Sequence, residues 1–246
     1  MKEKGQEFQV EVERAKEYLK NEGIEMVLFD MDSTLVKTSE GFQKHIRIFT
    51  DWIAGESRLE KEEVHGRFME IMIGLKSELS VKPEISRVVA DMVRRWCGVE
   101  ENGKYEGAVE KLMEIYMDPF EECEGASEVV DLVARTGVRM GVVTIAGEEW
   151  TRRKIGKYFN GMFEGYYCID PAGRKDTMAW ERGLERFEVL PEKVMIVGDS
   201  WKSDVLPALE LGVKKIVWVN VRGEKHEDKR VIEIGGVKEL KEVLLK

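Results

Sequence analysis

Cysteine is sparse: Cys97, Cys123 and Cys168 stand far apart and form no CxxC pair. So few and odd a set excludes a disulfide framework, and the three read as small buried apolar residues rather than catalytic thiols. Histidine is equally scarce, and His45, His65 and His226 show no metal-ligand spacing. Asparagine and glutamine are few beside abundant Glu and Lys, a bias resembling proteins of hot environments. No apolar run is long enough to span a bilayer, so no membrane partner is expected. Met1 to Gly23 is rich in Glu and Lys and lacks the apolar stretch of a signal peptide, so a cytoplasmic location is expected. Basic residues are outnumbered, 39 Lys and Arg against 48 Asp and Glu, for a net charge of -9. A nucleic-acid surface needs a basic excess, so a nucleic-acid partner is not expected.

What is present fits an ordinary globular chain. Its 246 residues suit one sizeable domain, or a domain with a smaller insert. Phe8, Val12, Ala15, Tyr18 and Leu19 recur at helical spacing, and Gly23 suits a helix stop. Ile24 to Phe29 then forms a short apolar run that ends abruptly on Asp30, the pattern of a buried strand with a carboxylate at its tip. From residue 37 to residue 120 helical periodicity dominates and no strand candidate interrupts it, which predicts a helical insert.

After Gly125 the pattern alternates. Helices are expected over 126–135, 148–158, 175–187, 202–211 and 237–245. Strands are expected over 138–144, 162–167, 194–197, 216–219 and 231–234. Such alternation predicts an α/β fold with a doubly wound parallel sheet, residues 1–36 and 121–246, and a smaller all-helical domain over 37–120.

Ligands of a doubly wound sheet bind beyond the carboxyl ends of its strands. Three strand ends are unusual: Asp30-Met31-Asp32-Ser33-Thr34, Thr144-Ile145-Ala146-Gly147, and Gly198-Asp199-Ser200-Trp201-Lys202-Ser203-Asp204. Asp30, Asp32, Asp199 and Asp204 would converge on one edge of the sheet. Crowded carboxylates repel, and a hard divalent cation with oxygen ligands relieves that repulsion. Mg2+ suits such a site, because it is held by a few carboxylates together with water and substrate phosphate.

The stretch Asp30-Met31-Asp32-Ser33-Thr34-Leu35 resembles the first motif of the haloacid dehalogenase (HAD) superfamily, DxDx[TV]. Gly198-Asp199 with Asp204 resembles its last motif, GDxxxxD, and Thr144 and Lys175 fall where the second and third belong. The resemblance covers about two thirds of the chain. It implies a Rossmann-like core with a helical cap over the site. It also implies a phosphatase in which Asp30 attacks phosphorus and Asp32 serves as general acid and then base. Mg2+ would be held by Asp30, the Asp32 main-chain carbonyl and Asp199, with Asp204 acting through water or from outside. Thr144 and the Ile145 backbone would bind phosphate, and Lys175 would steady Asp30 and the transferring group.

Asp32 favours phosphate chemistry, since dehalogenases of the superfamily lack an acid at that position. The substrate class is a small phosphorylated metabolite. A phosphomutase or phosphotransferase is the alternative, then a non-catalytic phosphate-binding regulator. Three features depart from the family pattern: Ile145 stands where an asparagine is common, Asp176 follows Lys175, and Trp201 replaces a small residue. Arg174 rivals Lys175 for the basic role.

Overall fold

Four consecutive apolar residues, Met26 to Phe29, are all buried and form the central strand β1. A strand covered on both faces needs helices above and below it, and the chain supplies them. The structure, a computed structural model, describes residues 2–78, 83–116, 120–169 and 174–246. Two compact units are distinguished: Met1–Lys37 with Glu121–Asp170 and Arg174–Lys246, and the segment Thr38–Phe120.

The first unit is a six-stranded sheet in the order β3-β2-β1-β4-β5-β6, parallel throughout. Its further strands are β2 (Arg139–Ile145), β3 (Gly165–Ile169), β4 (Val194–Gly198), β5 (Lys215–Val219) and β6 (Val231–Ile234). The chain winds outward from β1 through β2 and β3, then returns beside β1 with β4 and winds the other way. The gap between β1 and β4 is therefore the topological switch point.

Helices cover both faces. α1 (Lys2–Asn21) buries Val12, Ala15 and Leu19, spaced three and four residues apart, and stops where Gly23 turns with φ of +66°. It packs with α6 (Ala126–Thr136) and α10 (Leu240–Leu244). α8 (Thr177–Arg186) and α9 (Leu206–Glu210) pack together, and Trp180, Leu184 and Ala208 join Met26, Leu28 and Ile196 in one apolar cluster. α7 (Glu148–Tyr158) follows β2.

The second unit holds α2 (Thr38–Glu56), α3 (Lys61–Glu78), α4 (Pro83–Trp96) and α5 (Gly103–Met113). Its core gathers Ile46, Phe49, Phe68, Val89 and Val109, with Phe49 edge-on to Phe68 at 5.8 Å between ring centroids. Asn102 caps α5 by accepting the N–H groups of Lys104 and Tyr105. Gly41 admits the Phe120 ring, which a Cβ there would meet at 2.1 Å.

Four elements differ from the sequence-based expectation, one being the closing helix, which opens as a 3-10 turn over Val237–Glu239 before α10. β3 begins at Gly165, not Met162, because it is an edge strand whose residues are half-buried and carry little pattern. α8 begins at Thr177, because the Asp176 side chain accepts the Ala179 N–H and caps it, leaving Lys175 outside the helix. The expected helix over 202–211 is a π-helical turn, Trp201–Val205, followed by the short α9. The cysteines are free but, against the expectation of burial, only half-buried.

Candidate active site

Phe29 lies in register with Val197, and the Asp30 N–H donates to the Val197 carbonyl at 2.8 Å. Asp30 and the Gly198-Asp199 pair thus leave the sheet side by side at the switch point. The next turn folds back on itself. Ser200 Oγ accepts the Ser203 N–H at 3.1 Å, and the Ser200 N–H donates to Asp204 Oδ2 at 3.0 Å. This returns Asp204 to the strand end, packed so closely on Gly198 that a Cβ there would meet its carboxyl at 2.4 Å. Glycine is the residue that fits.

One carboxylate oxygen from each of Asp30, Asp199 and Asp204 lies within 4.8 Å of the others. Into this cluster reaches Lys175, whose Nζ is 2.5 Å from Asp30 and 2.6 Å from Asp204, with both acids almost fully buried. Arg174 is exposed. Release of Lys175 from α8 gives it this reach, and Trp180 lies behind it, 4.9 Å from the Nζ.

Among the described residues the three acids face one buried ammonium, with a weaker pull from Arg222 on Asp199, and an excess of negative charge remains. Burial, followed by the neighbouring acids, holds Asp30 well above the ordinary carboxylate range against the pull of Lys175. Burial and then the Asp204 charge push Asp199 up to about 6. Burial opposes the Lys175 charge, yet Asp204 and Asp30 outweigh it and hold the ammonium above lysine's usual value. The donor set is all oxygen and underneutralised, which fits a hard divalent cation.

A stability prediction follows. A carboxyl whose folded-state pKa exceeds its unfolded value binds its proton more tightly in the fold. It supports folding below its unfolded value of 3.8 and withdraws that support as pH rises to about 6. In chelator, the fold at about pH 7.5 is expected to be on the order of 1–1.5 kcal/mol less stable than at about pH 5, a loss that added Mg2+ reverses. A melting temperature that rises over this interval in chelator contradicts the arrangement.

Asp32 stands apart from the three-acid cluster. Ser33 adopts φ of +67°, and its N–H donates to the Val36 carbonyl at 2.7 Å, so the chain turns sharply just past Asp32. The Asp32 side chain, one quarter exposed, pairs with the fully buried ammonium of Lys154 on α7. Thr144 ends the buried part of β2, beside β1, with no exposed surface. Among the described residues its hydroxyl has no hydrogen-bond partner. Ile145 is the last, half-buried residue of β2, and Gly147 opens α7.

Sequence reasoning missed Lys154. It sits in the run Glu148-Glu149-Trp150-Thr151-Arg152-Arg153-Lys154, polar and charged but for Trp150, where no apolar periodicity marks a buried face. No helix among the described residues is long and apolar enough to cross a membrane.

The family model described as haloacid dehalogenase-like hydrolase matches residues 27–218. A phosphorylated carbohydrates phosphatase of Thermotoga maritima is 26% identical over 220 residues, covering 87% of this chain and 93% of its own. A haloacid dehalogenase-like family hydrolase from Xanthomonas campestris superimposes with a TM-score of 0.70 at 18% identity, over 90% of this chain and 94% of its own. YfnB from Bacillus subtilis, whose crystal structure holds magnesium, superimposes with a TM-score of 0.68 at 16% identity, over 90% of this chain and 98% of its own.

Proposed function

The chain belongs to the haloacid dehalogenase-like hydrolases, and from that premise we propose that it is a magnesium-dependent phosphatase of small phosphorylated metabolites, carbohydrate esters foremost. The observation that carries this reading is the division among its acids. Asp30, Asp199 and Asp204 share one cluster with Lys175, while Asp32 stands outside it with a separate cation. One group is built to hold charge, and the other is placed to move a proton.

Asp30 and Asp199, with the Asp32 main-chain carbonyl, would hold magnesium. Asp204, whose oxygens engage Lys175 and the Ser200 N–H, would act beside them. Bound there, magnesium neutralises charge between the carboxylates and the phosphate. An Asp30 carboxylate oxygen forms a bond to phosphorus as the ester P–O bond breaks, and Asp32 gives its proton to the departing oxygen. Asp32 then takes a proton from water, whose oxygen attacks the aspartyl phosphate and releases inorganic phosphate. Lys175 steadies Asp30 throughout, and the Thr144 hydroxyl and Ile145 N–H bind phosphate oxygens.

Phosphate release from a panel of sugar phosphates, with Mg2+ and with chelator, tests the reading. Stoichiometric free phosphate that chelator abolishes is expected. Transfer of the phosphoryl group to another position of the sugar would make the chain a mutase. Halide release from 2-haloacids without phosphatase activity would refute the phosphatase reading.

Thr144 provides a sharper check. Valine at this position keeps the shape and removes a buried hydroxyl that has no partner. Thr144→Val is expected to raise the melting temperature slightly, and to weaken competitive inhibition by inorganic phosphate about ten- to hundredfold, the loss of a hydrogen bond to an anion. Unchanged inhibition would take Thr144 out of the phosphate site.

A further inference from the structure

The buried lysine of α7 is expensive and has no place in the chemistry described so far. Lys154 has no exposed surface, and it ranks among the largest fully buried side chains of the protein. Burying an ammonium costs several kcal/mol unless geometry and partners compensate, roughly the stability margin of a domain. A leucine or methionine at this helical position would carry no such penalty. What compensates is specific: Lys154 Nζ donates to Asp32 Oδ1 and lies 3.7 Å from the Trp150 ring centroid. Trp150 is itself on α7, so the helix that begins just past Thr144 and Ile145 also carries this ammonium and the ring beneath it.

Asp32 is thereby fixed twice. Its backbone is set by the turn through Ser33 and the Ser33 N–H to Val36 bond, and its side chain is tied at one carboxyl oxygen to a group that cannot swing into solvent. A proton transfer loses its advantage when donor and acceptor drift by an ångström, so a fixed carboxyl is worth a buried charge.

We propose that Lys154 is a positioning residue that holds the Asp32 carboxyl where it meets the departing ester oxygen. This role rests on the phosphatase reading and narrows it: the enzyme is built for esters whose leaving oxygen needs a proton, alkyl and sugar phosphates above all. Esters of acidic phenols leave as stable anions and make little use of the device.

The test compares two substrates in Lys154→Met, which keeps the length and apolar character of the side chain. The quantity is kcat/KM, which reports the steps up to transfer of the phosphoryl group to Asp30. For a sugar phosphate a fall of about 10²-fold is expected, carried by kcat with KM little altered, because a positioned acid contributes about 10²–10⁴-fold. For 2,4-dinitrophenyl phosphate the fall is expected to be at least tenfold smaller, on the order of the spread seen for indirect effects. Lys154→Arg, which keeps the charge, is expected to recover part of the sugar phosphate rate.

Equal losses on both esters would mean a merely structural role and overturn the proposal, as would an unchanged sugar phosphate rate. If Lys154→Met does not fold, Lys154→Arg alone decides: a selective loss on the sugar ester supports positioning, and an equal loss refutes it. A wild-type protein inactive on both esters would instead refute the phosphatase reading itself.

Discussion

Asp30→Asn is expected to lower phosphate release by about 10⁴-fold or more, an added barrier of about 5.5 kcal/mol, because an amide is no nucleophile toward phosphorus. The substitution is nearly isosteric, and the loss should come without unfolding. Asp30 lies in a crowded cluster and is held above the ordinary carboxylate range by burial and by Asp204, Asp199 and Asp32. Removing its charge therefore relieves repulsion, and the melting temperature in chelator should hold or rise. Acid-quenched protein should carry covalent phosphate on the wild-type chain during turnover and none on the variant. Full activity in Asp30→Asn would end the assignment of the nucleophile.

Lys175→Met should damage both activity and stability. The ammonium is buried between Asp30 and Asp204, within hydrogen-bonding distance of both. Breaking a buried ion pair from one side costs about 3–5 kcal/mol, because the stranded charges remain. In chelator the melting temperature is expected to fall by roughly 10 °C for a chain of this length. Mg2+ should recover more of that loss in the variant than in the wild type, since the cluster then carries one more uncompensated charge. Turnover should drop by about 10²–10³-fold even with Mg2+ bound, as when one preorganised donor is removed from a developing anion. A stability loss that Mg2+ does not touch would mean that Lys175 matters for packing, not for charge.

The parts of this site that were legible in the sequence share a physical reason. An apolar run such as Met26 to Phe29 must be buried, and a carboxylate directly after it must sit at the strand tip. Asp30 and Asp199 were therefore placed by patterns a few residues long. The helical insert was legible because four apolar stripes recur without a strand between them.

What escaped depended on contacts between distant segments. Lys154 meets Asp32 across 122 positions of the chain, and nothing local distinguishes it from the exposed Arg152 and half-buried Arg153 beside it. The choice between Arg174 and Lys175 turned on where α8 begins, which the Asp176 cap decides. The π-helical turn after Asp199 arises because Asp204 folds back to accept the Ser200 N–H, a closure that helical periodicity does not reveal.

The chain leaves and re-enters the sheet at a single seam. Lys37 N–H donates to the Glu121 carbonyl and Cys123 N–H to the Leu35 carbonyl, each at 2.8 Å, with Val36 bridged antiparallel to Glu122. The segment between those two residues has its ends held together by this pairing, so its length makes little difference to the polymer entropy of the sheet. A change of length between Thr38 and Phe120 is therefore expected to leave the strand that carries Asp30 paired as it is.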